Sequence, residues 1–166
     1  MLLTRIVSGG QTGVDRGALD AALEAGFPCG GWAPEGRIAE DGVIAARYPL
    51  IELAGGGYEK RTLKNVLDSD GTAILYLKEL EGGTRQTRDD CVARGKPHEL
   101  INASRVTPDE AAHRLAAFVL RERIAVLNVA GPRASKWPGA RDYAFQTVMQ
   151  LLRAVGSPQE VRAPNR

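Results

Sequence analysis

The apolar residues of this chain fall into two alternating rhythms. Short uninterrupted runs have the length of interior strands: Ile6-Val7, Cys29 to Trp32, Ile51 to Leu53, "TAILYL" from Thr72, Leu100-Ile101 and "IAVLNVAG" from Ile124. Between them apolar positions recur three or four apart, which predicts helices. Val14, Ala18, Ala21, Ala22 and Ala25 mark one that stops at Gly26, and Leu63, Val66 and Leu67 mark another. "EGGTRQTRDDCVARGK" feeds glycines into a helix that ends at Gly95, Leu115, Ala116, Val119 and Leu120 form a fourth stripe, and Ala144, Val148, Leu151, Leu152 and Val155 form the last. Thr107-Pro108-Asp109-Glu110 is the sharpest helix start, because a Thr cap, a first-turn Pro and a Glu three residues on satisfy orphan N–H groups reciprocally.

Strands that alternate with helices at this spacing predict an α/β fold, a mostly parallel central sheet with helices on both faces. The 166 residues suffice to hide roughly 70% of the unfolded surface around one core. No linker or repeat divides them, so residues 1–155 are expected to form one domain and 156–166, with Pro158 and Pro164, a flexible tail. The stretch from Ala33 to Leu50 shows neither rhythm. Connections longer than about 12–15 residues are uncommon in compact domains and serve as lids or binding loops.

Charge narrows the class of partner. A net charge of +2 from 22 Lys+Arg and 20 Asp+Glu suits neither a general nucleic-acid binder nor a membrane-surface binder, and the expected partner is a small molecule. No run spans a bilayer, and Arg5 with the following glycines interrupts any leader-like segment, so a cytoplasmic protein is expected. Cys29 and Cys91 lack metal-ligand spacing and read as reduced thiols; no structural metal is expected.

The chemistry concentrates where strands hand over to helices. In an open parallel sheet the loops leaving the carboxyl ends share one edge, and ligands settle where the strand order reverses. A helix start there offers free N–H groups and partial positive charge to a phosphate, provided no side chain intervenes. Gly9, Gly10 and Gly13, with Gln11 and Thr12 between them, fit that description, and Gly82-Gly83-Thr84, with Thr87 one turn on, repeat it. Thr12 and Asp15 also match a capping box that would close the first turn on itself. Arg16 reads either as a phosphate ligand or as the partner of Asp20, four residues on. Ser135 and Lys136, after the last strand, are candidates for the far end of an anion. Arg37, Asp41 and Arg47 of the aperiodic stretch are candidates for a lid. Trp137 reads as a stacking surface or as packing, and neither His98 nor His113 is placed like a catalytic base. The first loop lacks a Walker Lys-Ser/Thr pair and dinucleotide glycine spacing, which argues against an ordinary P-loop ATPase or NAD enzyme.

Taken together, "GGQTGVDRGALDAA", "CGGW", "AEDGVIAARYPLIE", "RTLKNVLDSDGTAIL", "GGTRQT" and "NVAGPRASKWPG" resemble the putative molybdenum carrier family, a branch of the SLOG nucleotide-sensor superfamily, over residues 5–152. The resemblance implies a single-domain Rossmann-like three-layer sandwich, of the kind shared with lysine-decarboxylase-like proteins, and a homo-oligomer, a dimer or tetramer. It implies a phosphorylated heterocyclic ligand, the molybdenum cofactor or a nucleotide. It places anion binding on Gly9, Gly10, Gln11, Thr12 and Gly13, on Gly82, Gly83 and Thr84, and on Ser135 and Lys136. A sister branch, the Lonely Guy-type phosphoribohydrolases, carries a catalytic Glu three residues after its Gly-Thr pair. This chain has Thr87 at that position, so the expectation is a binding or carrier protein with no assigned catalytic residue, and a nucleotide N-glycosidase is the alternative.

Overall fold

In the computed structural model the described residues are 2–155. The tail expected over 156–166 lies outside them. Five strands form the central sheet, in the order β2 (Cys29–Gly30), β1 (Arg5–Val7), β9 (Val126–Ala130), β7 (Gly71–Tyr76) and β8 (His98–Asn102), and every pairing is parallel. The sheet carries α1 (Val14–Glu24), α2 (Tyr58–Leu67), α3 (Gly82–Ala93), α4 (Pro108–Arg121) and α5 (Ala140–Val155). Right-handed crossovers put α1 and α4 on one face and α2 and α3 on the other. The packing agrees, with α1 and α4 against α5 and α2 against α3. The result is the parallel sheet with helices on both faces that the alternation predicts, and the Rossmann-like three-layer sandwich that the resemblance implies.

The main core lies between the sheet and the α1/α4/α5 layer. Ile6, Leu75, Ile101 and Leu127 meet Leu115, Phe118, Val148 and Leu151 there, all essentially inaccessible. The sequence stripes hold with three exceptions, the first being Ala25, which caps α1 and is exposed. Leu120 is 61% exposed while Phe118 takes its place inside, and on α2 the buried residues are Arg61, Asn65 and Val66, with Leu67 turned outward. Thr107 caps α4 through the reciprocal bonds expected: Glu110 N donates to Thr107 Oγ1 and Thr107 N to Glu110 Oε2.

The predicted strand over Cys29–Trp32 is two strands. Gly31, at φ 128°, bends the chain out of the sheet, where a Cβ would lie 2.2 Å from Ser8 O. Beyond the bend β3 (Trp32–Ala33) pairs in parallel with β6 (Ile51–Glu52) as a separate ribbon. The aperiodic stretch between them is a 3-10 turn (Glu35–Arg37) and a hairpin of β4 (Ile38–Ala39) and β5 (Gly42–Val43). It has its own small core of Ala33, Ala39, Ile44, Tyr48 and Leu50 against Leu19 of α1.

Arg37 fastens this segment. Its guanidinium donates to four carbonyls, of Ile44, Ala45, Tyr48 and Leu50, and its backbone is held at φ 53°. Backbone groups without a sheet partner here are satisfied by one cation instead. Arg37→Met should therefore lower stability by about 2 kcal/mol in urea unfolding, since several carbonyls lose a donor at once. Limited proteolysis should cut first within 33–53; an unchanged midpoint and cleavage pattern would show the stretch to be held by its small core alone.

Candidate functional site

Because all five strands run the same way, the segments after β1, β7 and β9 leave the sheet along one edge. Those after β1 and β7 turn to opposite faces, and β9 stands between them, so a crevice opens above the end of β9. A cavity of ≈ 800 Å³ occupies it. Gly9 and Gln11 of the first turn, Gly82, Gly83 and Thr84 of the second, and Arg133 and Lys136 of the third lie in its wall. The two glycine turns thus do share one pocket, and α2 closes its side with Tyr58 and Arg61.

The two turns are nevertheless built differently. The first is filled by the protein itself. A Cβ on Gly9 would fall 1.8 Å from Arg61 Nη1, one on Gly10 2.4 Å from Leu50 Cδ1, and one on Gly13 2.3 Å from Pro132 O. Three of its donors are engaged too: Gln11 N donates to Asp15 Oδ2 (3.2 Å), Thr12 N to Gln11 Oε1 (3.0 Å) and Val14 N to Pro132 O (3.1 Å). Here glycine permits close approach of chain to chain. The anion-binding expectation for Gly10, Thr12 and Gly13 is corrected accordingly, since none of the three lies in the cavity wall.

The second turn is open. No atom lies within 4 Å of a Cβ built on Gly82 or Gly83, and Glu81, the cap residue of α3, makes no side-chain cap bond. Thr84 N and Arg85 N both donate to Glu81 O, which leaves the amides of Gly82 and Gly83 as the free donors at the head of a twelve-residue helix. Thr84 is 6% exposed and in the cavity wall, with no hydrogen-bond partner for its hydroxyl among the described residues. Thr87 is also in the wall, but its hydroxyl donates to Gly83 O at 2.9 Å.

Facing this turn is a residue that the sequence reading passed over. Arg61 is 8% exposed and runs past Gly9, where only hydrogen leaves it room. Nη1 donates to Asp15 Oδ2 at 3.1 Å, while Nε is buried with no partner. Burial pushes the Asp15 carboxyl above its ordinary value; the charge of Arg61 and the Gln11 N–H pull it back without cancelling the rise. Asn128, 2% exposed, adds a polar group from β9 and donates to Thr72 Oγ1 at 3.3 Å. Asn65, one turn after Arg61, seats α2 by bonding both the N–H and the carbonyl of Trp32. In "YEKRTLKN" Arg61 reads as one more charge on a solvated face. The one available signal is that Arg61 and Asn65, four apart, share a side of the helix with Val66.

Several predicted ligands are committed elsewhere. Arg16 Nε donates to Gly10 O and its two Nη groups to Asp41, so neither the phosphate role nor the Asp20 pair holds. Asp41 is correspondingly held below the usual carboxylate range by the Arg16 hydrogen bonds. Arg47 bonds the Tyr48 hydroxyl and lies 3.3 Å from Asp20. With Arg37 consumed as described, Arg37, Asp41 and Arg47 fasten a segment that lies outside the cavity wall and do not form a lid over it. Ser135 turns away from the cavity, donating through both N and Oγ to Glu40. Trp137 packs on Tyr143, with ring centroids 5.4 Å apart. No group of three or more His, Cys, Asp or Glu side chains suited to a metal occurs among the described residues.

Glu40 joins three loops. It accepts from Thr12 Oγ1 and from Ser135, its own N–H donates to Gln11 Oε1, and Arg133 stands 3.5 Å away. Desolvation would raise its carboxyl, but the Ser135 and Thr12 hydrogen bonds and the Arg133 charge together bring it below the ordinary value. A lowered folded-state value stabilises above the unfolded value near 4.5, and that contribution disappears as pH falls through the folded value. Glu40→Gln should therefore be less stable than the parent chain at pH 7, with the gap closing as pH drops below about 4 in urea titrations. A gap independent of pH would remove the ionised clasp.

The buried pair gives a sharper test. Arg61→Met strands Asp15 and should cost about 3–5 kcal/mol, whereas Arg61→Met with Asp15→Asn should recover most of the loss. If the double variant is as unstable as the single, the packing of Arg61 dominates over its charge.

No curated protein matches the chain. A solved structure does: the crystal structure described as "Putative molybdenum carrier protein" from Syntrophus aciditrophicus SB is 42% identical, covers 91% of this chain and 96% of its own, and superposes with a TM-score of 0.88. The family model described as "Circularly permutated YpsA SLOG family" matches residues 6–152, nearly the whole described fold and every residue that lines the cavity. The chain therefore belongs to the circularly permutated YpsA SLOG family.

Proposed function

We propose that this protein binds a phosphorylated heterocyclic molecule in the crevice above β9, as a carrier or store, with the molybdenum cofactor as the leading cargo. The observation that carries the proposal is the pairing of an open helix start with a buried, incompletely bonded cation across one cavity. Gly82 and Gly83 present backbone donors, Thr84 a free hydroxyl, and Arg61 an unpartnered buried Nε. A buried donor without an acceptor is costly, and an anionic oxygen placed there relieves that cost. Lys136, exposed and in the wall, adds a second cation near the mouth. The name of the 42% identical relative supports molybdenum carriage as the use of such a site.

The residues present suit the phosphate end of such a cargo. Binding of this kind needs no acid or base, and the one buried carboxylate in the cavity, Asp15, is already engaged by Arg61 and Gln11. Storage by preformed backbone donors fits that arrangement better than turnover does.

Purified protein mixed with molybdenum cofactor, nucleoside monophosphates or inorganic phosphate should rise in melting temperature without releasing free base. Gly83→Asp should abolish the shift while leaving the unliganded stability near that of the parent, because the position is open and any carboxylate there repels phosphate. Protein isolated from molybdenum-replete cells should carry molybdenum by elemental mass spectrometry, and the Gly83→Asp variant should not. Base release by the parent chain would replace the carrier reading with that of an N-glycosidase. Undiminished binding by Gly83→Asp would move the site away from α3.

A further inference from the structure

Beside the Arg61 guanidinium the cavity also offers an aromatic and apolar surface. Tyr58 is 43% exposed and in the wall, whereas Trp137, the other aromatic there, is 8% exposed and engaged with Tyr143. Leu77 is also in the wall and 37% exposed. The Arg61 guanidinium carbon lies 5.6 Å from the centroid of the Tyr58 ring, so the ring and the buried cation belong to one assembly. Flat rings stack on aromatic faces, and an aromatic kept open inside a cavity is the usual platform for one.

Three carboxylates accompany this surface. Glu59, Glu79 and Glu81 are exposed, stand in the cavity wall, and have no side-chain hydrogen bond or ion pair among the described residues. Such groups can only accept, so they favour a ring edge that carries N–H donors and disfavour one that presents carbonyl oxygens. They also set a negative field at the rim, which opposes a chain of several phosphates more than a single one. The independent sign of a ligand here is the same as for the phosphate end: the unpartnered Nε of Arg61 and the free hydroxyl of Thr84, both on residues more than nine-tenths buried.

We infer that Tyr58 and the unpaired carboxylates beside it select the ring of the ligand: a planar, amino-substituted heterocycle carrying a single phosphate. This rests on the phosphate-binding reading above. Tyr58 is the stacking residue, Leu77 offers an aliphatic surface elsewhere in the same wall, and Glu79 and Glu81 read the amino edge.

Calorimetric titration of the full chain with GMP, IMP, ribose 5-phosphate and inorganic phosphate tests the assignment, because GMP and IMP differ only in the ring amino group. GMP should bind about tenfold tighter than IMP, and ribose 5-phosphate should be weaker than both. Tyr58→Ala should reduce GMP affinity about tenfold or more without changing that of ribose 5-phosphate, and Tyr58→Phe should restore it. Combined Glu79→Gln and Glu81→Gln should bring GMP and IMP together. Ribose 5-phosphate binding as tightly as GMP, or IMP matching GMP in the parent chain, would overturn the ring assignment and leave the phosphate site standing. Failure of all four compounds, inorganic phosphate included, would overturn both.

Discussion

The first loop, α1 and α2 are organised around one buried ion pair. Arg61 crosses from α2 beneath Gly9 and ends on Asp15, whose other bond closes the Gln11 amide onto the start of α1. Burying a guanidinium is tolerable only if a carboxylate meets it, and burying that carboxylate only if it keeps its donors. Each component therefore constrains the others. Residue 9 must lack a side chain, α2 must approach the sheet edge closely, and the loop after β1 must fold inward over the pair. What the pair leaves unsatisfied is Nε of Arg61, a buried donor on a residue that also lines the cavity.

That constraint explains why the site was only half legible in the sequence. Gly9-Gly10 and Gly82-Gly83 look alike in one dimension, each a glycine pair between a strand and a helix. The difference lies in what occupies the missing side-chain space. Leu50, Arg61 and Pro132, which fill the first turn, are 40 to 119 positions away from the glycines they meet and share no local pattern with them. Nothing distant fills the second. Composition reveals that glycine is needed, and only the three-dimensional neighbours reveal whether the need is for a ligand or for the chain itself.

The fold was more accessible, because its signals are local and repeated. Strand runs, helical stripes and the Thr107 capping box depend on residues within a turn or two of each other, and the parallel order follows from their alternation. Where local rules failed, a distant cation or a bend had intervened. Arg37 replaces sheet partners for four carbonyls in the stretch without periodicity, and Gly31 divides one apolar run between two sheets. Charges assigned to solvent or ligand from spacing, such as Arg16 and Asp41, proved to be fasteners between segments 25 positions apart. A single sequence offers no register for such pairs.

The same division of labour bears on how rigidly this edge is held. Residues 33–53 lie outside the cavity wall, but the segment is fixed by Arg37 and by the Arg16–Asp41 pair, and through Glu40 it braces the first and third loops, which do line the cavity. Rigid walls lower the ordering cost of binding, since the donors stand in place before the ligand arrives. They also deny the closing motion by which many enzymes expel water around a reacting bond. The movable candidate is α2, because Gly55, Gly56 and Gly57 precede it, and a Cβ on Gly55 or Gly57 would meet nothing within 4 Å. Yet α2 is moored by Asn65 to Trp32 and by Arg61 to Asp15, so any displacement must break the buried pair. Coupling this glycine-rich hinge to the buried pair makes the crevice resist opening.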